Sequence, residues 1–504
     1  RIDFDGIVQR AVKVPLPAEN YAGLAANKGH LIYAVAPPFY YGRSPGVQAS
    51  LRIFSMKDRK ETALQQPVSG YALSADGTIL LAGTGGSGYT LIDANPGGER
   101  TKKSVSVSGL VTEIDPAEEW QQIFNEAWRR YRDWFYVENM HGFDWERIRE
   151  DYRKWMPHVA HRSDLNYVIS EMSSELTVQH AYIDGGDFNL PSRIGVALPG
   201  AKFEADKAAG RYRISKIYPG QNEEDIYRSP LTEVGVDARV GDYLLAVDGQ
   251  EVRTDRDVYS AFRGKSGMVT LTLNSTPSMN GARKVSFRPV LNESNLVYLD
   301  WILSNQARVN ELSGGRLGYI HIPDMGAAGI REFIKWYYPQ LDKEGLVVDV
   351  RANGGGNVSR MLIERLRREL LGVNFRRGDA DATTWPDGVF RGPMVAILNE
   401  NSASDGDIFP YMFREAGLGP LIGKRSWGGV VGITNRGNLI DGGTVNVPEF
   451  ALANPKGEYI IEGYGVDPDI EVENDPRSVL AGRDPQLERA VQEVLKRMTS
   501  PVKL

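Results

Sequence analysis

Between residues 317 and 423 the chain alternates strictly between short apolar runs and helical patterns, and no other feature restricts its fold as much. "LGYIHIP", "GLVVDV", "MVAILN" and "PLIG" are each too short for a helix and too continuously apolar for a strand with one wet face. Helical patterns fall between them, over roughly 327–342, 358–371 and 405–416. Strands buried on both faces and joined by helices mean a parallel sheet with crossover helices, an α/β core.

The flanking segments have a different texture. Up to about residue 112, "GHLIYAVAP", "SLRIFSMKD", "GYALSADGTILLAG" and "GYTLIDA" read as short antiparallel strands parted by turns such as Asp76-Gly77,. That pattern suits a sandwich or the blades of a propeller. At Asp115-Pro116 an N-cap and a proline at the first helical position open a helical segment. Trp120, Phe124, Ala127, Trp128 and Tyr131 share one face of its first helix,. A second helix is expected after Asp144 and a third after Ser163. Short strands return between about 190 and 295. The fold expected is therefore multidomain, mixing α+β parts with an α/β core.

Composition removes whole classes of chemistry. The chain has no cysteine, so thiolate nucleophiles, disulfides and Cys-ligated zinc are excluded,. No cofactor is called for, and the strand-end motifs lack the His and carboxylate spacing of a metal site. A net charge of −6 with interspersed signs argues against a nucleic-acid partner,. No apolar run approaches the ~18 residues of a membrane helix, so no membrane partner is expected. The 504 residues begin at Arg1 with neither Met nor a signal peptide. We therefore expect a fragment or processed product.

The remaining nucleophiles are serine, threonine, lysine and carboxylates, and reactive groups in parallel sheets gather at the carboxyl ends of strands. Two such ends stand out. Gly354, Gly355 and Gly356 follow "LVVDV" and enter a helix, so their backbone can approach a ligand and offer N–H groups to a developing oxyanion. Ser404 follows "MVAILN" at a strand-to-helix turn, in the manner of a nucleophile elbow; Ser404 with Asp407 also suits a simple N-cap pairing. Of six histidines, His30 lies among the N-terminal strands. His141, His158 and His161 read as solvated linker residues, and His321 as a satisfied sheet residue. His180 is expected at the end of the third helix, a rigid support for a base whose protonated form the helix C-terminus would favour.

Several blocks, taken together and in order, resemble the C-terminal half of the tricorn protease family: "AEEWQQIFNEAWRRYRDWFYVENMHGFDW", "SELTVQHAY", "DVRANGGGNVSRMLIERL", "NENSASDGDIFPYMF", "IGKRSWGGVVGI" and "IEGYGVDPDIEV". The resemblance implies a layout. Residues 1–112 would end a β-propeller region, and 115–187 would form a helical domain carrying the base. A PDZ-like domain would occupy 188–295, a tail-specific-protease type of catalytic domain 296–485, and a C-terminal helix and tail 486–504. By motif, Ser404 is then the nucleophile and His180 the base, with the amides of Asp405 and Gly356, beside Gly355, as oxyanion donors. Glu462 resembles the glutamate that orients the family's histidine through an intervening serine. Here Gln179 stands before His180, and its amide can donate to Glu462 and accept from an imidazole N–H. Asn374 falls where the family has the aspartate that favours Lys or Arg before the cut; the nearest acids are Asp379 and Asp381, beyond Arg376 and Arg377. Uncharged, apolar residues are therefore expected before the scissile bond.

The resemblance also implies unfolded peptides as substrates and a homo-oligomer, chiefly a hexamer. It implies a cytoplasmic setting, with a periplasmic one as the alternative. Two rivals stand beside it. One is a Ser-Lys dyad using Lys424, although the position matching that family's lysine is Gly429 within Ser426-Trp427-Gly428-Gly429-Val430. The other is a non-catalytic peptide-binding scaffold of PDZ and propeller parts.

Overall fold

The computed structural model describes residues 4–38, 47–86, 88–375, 377 and 383–498. The chain divides into two compact units, Arg1–Glu119 and Trp120–Leu504. The first holds two four-stranded antiparallel sheets, each a meander in chain order. Their inward residues alternate along the strands, with Ile32, Leu51, Ile53, Leu80 and Ile92 in one buried cluster,. Four-stranded meanders are the form a propeller blade takes.

In the second unit, the helix Pro116–Trp134 starts as its sequence demands, with the Asp115 carboxylate accepting the Ala117 N–H at 2.9 Å,. The helix Trp145–Arg153 is capped by Asp144 in the same way. The third helix, Arg162–Ser174, begins earlier than expected. His161 is its N-cap and accepts the Ser163 N–H, so this imidazole is a structural cap and not a solvated linker. These helices do not close a core by themselves. Ile123, Phe124, Trp128, Leu165 and Ile169 share one cluster with Val431, Val445 and Val447. The last of these belong to the antiparallel pair Gly432–Asn435 and Thr444–Phe450, to which the strand Tyr182–Asp184 adds a third member.

Residues 201–287 form a six-stranded antiparallel sheet with its own core of Ile214, Leu244, Val247, Phe262, Leu271 and Phe287. The expected parallel sheet follows. Its strands Leu317–His321, Gly345–Asp349, Met394–Leu398, Leu421–Gly423 and Ile470–Glu471 lie side by side in chain order, all parallel. Alternate residues face opposite layers. Ile320, Val348 and Leu398 pack with the helices Ala327–Tyr337, Ser359–Leu366 and Asp405–Glu415. Tyr319, Val347 and Ile397 pack with Leu487, Val491 and Val494 of the helix Pro485–Arg497. That last helix is thus a layer of the α/β core.

The helix expected over 358–371 ends at Leu366. Leu362, Ile363 and Leu366 are buried, while Leu370 is only half-buried and Leu371 is exposed. No helix among the described residues is long and apolar enough to cross a membrane.

Candidate active site

Ser404 stands at the carboxyl end of the central strand Met394–Leu398, immediately before the helix Asp405–Glu415. Its backbone sits at φ 58° and ψ −123°, and its side chain makes no capping hydrogen bond. A non-glycine residue with that backbone is strained. The N-cap alternative therefore fails: Ser404 is half-buried and its hydroxyl has no hydrogen-bond partner among the described residues. Asp405, by contrast, is engaged. Its carboxylate accepts the Ser359 N–H at 2.9 Å and the Ser359 hydroxyl, tying the nucleophile turn to the start of the neighbouring helix.

The glycine loop wraps directly against this turn. A Cβ on Gly355 would lie 2.5 Å from the Ser404 Cβ, and one on Gly356 would lie 2.0 Å from the Met325 carbonyl oxygen. Only glycine permits that approach. Gly355, however, cannot serve as an oxyanion donor, because its N–H is already held by the Asn353 side chain at 2.9 Å. The amides of Gly356 and Asp405 have no acceptor among the described residues. Asp405 heads its helix, where an N–H has no intrahelical partner.

His180 does not end the third helix. That helix stops at Ser174, and His180 lies in the extended link two residues before the strand Tyr182–Asp184. The helix-dipole argument thus lapses. Instead, His180 Nδ1 faces the Val431 carbonyl oxygen at 2.6 Å, so Nδ1 carries the proton and Nε2 is the basic nitrogen,. The ring stands edge-on to Trp427, whose N–H donates to the Ser402 carbonyl at 3.0 Å. His180 and the serine turn are therefore neighbours across Trp427.

Glu462 acts on the same loop. One of its carboxylate oxygens accepts the N–H groups of Val430 and Val431 at 2.7 and 2.8 Å; the other is buried without a partner. It clamps the residue whose carbonyl holds His180. The expected relay through Gln179 is not made: Gln179 is exposed and forms no hydrogen bond among the described residues, while His180 Nδ1 is already taken by Val431. Ile461, next to Glu462, carries φ 72°, a conformation a β-branched residue adopts only under constraint,.

The other named residues lie elsewhere. Asn374 is exposed on the short hairpin of Gly372–Asn374 and Thr383–Trp385 and touches none of these groups. Arg376, Asp379 and Asp381 fall outside the described residues. Lys424 is paired with Glu471 at 2.6 Å and Glu473 at 3.0 Å, and these hydrogen bonds raise its pKa, which disfavours the neutral amine a Ser-Lys dyad requires. His321 is buried between the Tyr298 hydroxyl and the Arg351 carbonyl, as a satisfied sheet histidine. His141 is exposed but bonded to Tyr136 and to the Leu176 carbonyl.

Comparison with known proteins gives this arrangement a context. Family models match the tricorn protease C1 domain over residues 116–174, the tricorn protease PDZ domain over 198–292 and peptidase family S41 over 316–472. The chain belongs to the tricorn protease family. It is 33% identical to a putative tricorn-like protease C-terminal subunit of Sulfurisphaera tokodaii, over 99% of this chain and 58% of that protein. It is 36% identical to the tricorn protease of Thermoplasma acidophilum, over 91% of this chain and 42% of that one. A crystal structure of the tricorn protease superposes with a TM-score of 0.88 at 31% identity, over 95% of this chain and 46% of that one. The chain thus spans about half the length of the tricorn relatives it matches.

Within this tricorn-type framework, sequence reasoning missed Val431 and Asp407. Val431 acts through a backbone carbonyl, which leaves no trace in residue type. Asp407 enters the sequence reading only as an N-cap pairing partner of Ser404.

Proposed function

We propose that this chain is a serine peptidase of the tricorn type that hydrolyses unfolded peptides through a Ser404 acyl-enzyme. The observation that carries the reading is the Ser404 turn itself. A strained, uncapped serine stands beside two amides that lack acceptors, with an oriented imidazole as neighbour.

In this reading Ser404 Oγ attacks the peptide carbonyl carbon while His180 Nε2 takes its proton. The carbonyl oxygen moves to the Asp405 and Gly356 amides, each worth about 3–4 kcal/mol of barrier. His180 then hands the proton to the leaving nitrogen, and the C–N bond breaks. Water repeats the sequence on the ester, returning the proton to Ser404. Throughout, Val431 keeps Nδ1 protonated and Nε2 aimed at the site, and Glu462 keeps Val431 in place.

A fluorophosphonate is expected to label Ser404, and Ser404→Ala is expected to abolish both labelling and peptide cleavage with the fold intact. Wild-type-like cleavage by that variant would end the reading. The family resemblance, which sets Asn374 where the family has its aspartate, supports a preference for apolar side chains before the scissile bond. Fluorogenic peptides differing only there are expected to favour Phe or Leu. Arg or Lys ahead by tenfold, about 1.4 kcal/mol, would overturn that preference. Homo-oligomeric assembly, of hexameric type, and a cytoplasmic setting belong to the same proposal by family resemblance. A sedimentation profile of monomer alone would count against the assembly.

A further inference from the structure

The loop Trp427–Val431 carries the one carbonyl that orients His180, and its anchors are few. Glu462 holds the Val430 and Val431 amides. The Gly463 amide donates to the Gly428 carbonyl at 2.8 Å, and the Trp427 amide donates to Ser402. One side chain from the nucleophile helix joins them: Asp407 accepts the Gly428 N–H at 2.7 Å. Asp407 lies one turn beyond Ser404, its backbone N–H bonded to the Ser404 carbonyl at 2.8 Å.

Asp407 is an expensive choice for that task. Its side chain is 0% exposed, and its second oxygen has no hydrogen-bond partner among the described residues. An amide or hydroxyl acceptor would hold Gly428 without placing a charge out of water. Among the described residues no cationic side chain is bonded or paired to it. The turn at 461–465 presents Glu462, and the loop presents the Ser426 hydroxyl and the Gly428 amide. On its own helix, Asp405 points to Ser359. Glu462 also keeps a buried oxygen without a donor. Two carboxylates thus grip one loop, each with a free oxygen, and each adds to the cost of the other's charge.

We propose that Asp407 is a positioning residue that ties the His180-orienting loop to the helix bearing Ser404, and that it does so only while it is unprotonated. This rests on the reading of Ser404 and His180 as the reacting pair. A charged acceptor makes the Gly428 hydrogen bond short and strong. A proton on Asp407 weakens that bond and gives the pair of free oxygens their missing donor, so the carboxyl turns from Gly428 toward Glu462. The loop then loses its link to the nucleophile helix, and Val431 its grip on His180. Burial, with the Glu462 charge adding to it, raises the Asp407 pKa to about 6, against the pull of Ser426 and of the Gly428 and Ser404 backbone. The transition therefore falls in a working pH range.

The experiment compares the full chain with Asp407→Asn, which keeps the oxygen facing Gly428 and removes the titration. Two readouts are followed from acid to neutral pH: kcat and KM on a fluorogenic peptide, and the downfield NMR resonance of the His180 Nδ1 proton. In the wild type the Asp407 proton is expected to add one unit to the slope of the acid limb of log kcat; in Asp407→Asn that unit should be missing,. KM is expected to change little. The resonance should fade in the wild type as the pH falls through about 6, and persist in the variant. Asp407→Ala, which removes the link, is expected to lower kcat by about 100-fold above pH ~6, where the wild type keeps the link, and by progressively less below it,. An acid limb equally steep in Asp407→Asn, or a resonance with unchanged pH dependence, would overturn the proposal. If fluorophosphonate fails to label Ser404, the peptidase reading falls, and the resonance alone still decides whether Asp407 governs the loop.

Discussion

Ser404 and two residues of the loops described beside it are held in backbone conformations that non-glycine residues avoid: Ala352 at φ 54°, Ser404 at 58° and Ile461 at 72°. Such strain persists only where surrounding contacts enforce it, and here it brackets the glycine loop, the nucleophile and the Glu462 turn. Gly355 shows how little slack remains. At φ +87°, with a would-be Cβ 2.5 Å from the Ser404 Cβ and 2.7 Å from the Ala403 oxygen, an alanine must push the serine turn aside. Displacement by about 1 Å costs a reaction on the order of 100-fold. Gly355→Ala is expected to lose that much kcat/KM, with slower fluorophosphonate labelling and a near-native circular dichroism spectrum. Asp407 carries a different cost, seen in stability. Its folded-state pKa of about 6 exceeds the ordinary 3.8, so the folded protein holds a proton that the unfolded chain has lost. Its stabilising contribution is complete below pH ~4 and is lost as the pH rises through about 6, by at most about 3 kcal/mol. Urea unfolding should therefore find Asp407→Asn more stable than the wild type at pH 8, with that advantage reduced to about a third at pH 4.5,.

Elements, unlike residues, were largely legible beforehand. Continuous apolar runs identified the parallel strands, and Asp115-Pro116 and Asp144 marked helix starts that their side chains do cap. Where the reading failed, the cause was a contact distant in sequence. The sequence reading puts His180 at a helix end; the helix stops at Ser174, the strand Tyr182–Asp184 pairs with Thr444–Phe450, and His180 lies in the link before it. Val431 is 251 positions from His180, and no local pattern announces that pairing. The same link is pinned from its other side by a buried ion pair. Arg162, 1% exposed, opens the third helix and bonds Asp441, 2% exposed, which also accepts the Asp187 and Gly443 amides at 3.1 Å. Removing one member of a buried pair strands the other charge, at roughly 3 kcal/mol or more. Asp441→Ala is expected to lower stability by that amount in urea. The double change Arg162→Met with Asp441→Leu should restore most of it, because no unpaired charge remains.

At the scale of the whole molecule, every group assigned to the chemistry lies in one of the two compact units. His180, the glycine loop, Ser404, Val431 and Glu462 all belong to Trp120–Leu504. That unit has its own buried clusters on both faces of the parallel sheet, and another cluster that joins the N-terminal helices to the strands at 432–450. The boundary between the units falls inside the helix Pro116–Trp134, whose first turn is capped by Asp115. A cut at Glu119 would strip that cap and four helical residues, leaving the orphan amides of the new first turn without acceptors. A cut before Asp115 keeps both. Residues 112–504, expressed alone, are therefore expected to fold cooperatively and to react with a fluorophosphonate at Ser404 at a rate within about threefold of the full chain, a difference under 1 kcal/mol. A fragment starting at 120 should be less stable by about 1 kcal/mol, the usual value of an N-cap. If the longer fragment folds but does not label, the residues before 112 contribute to the site, and the assignment of the chemistry to the second unit is wrong.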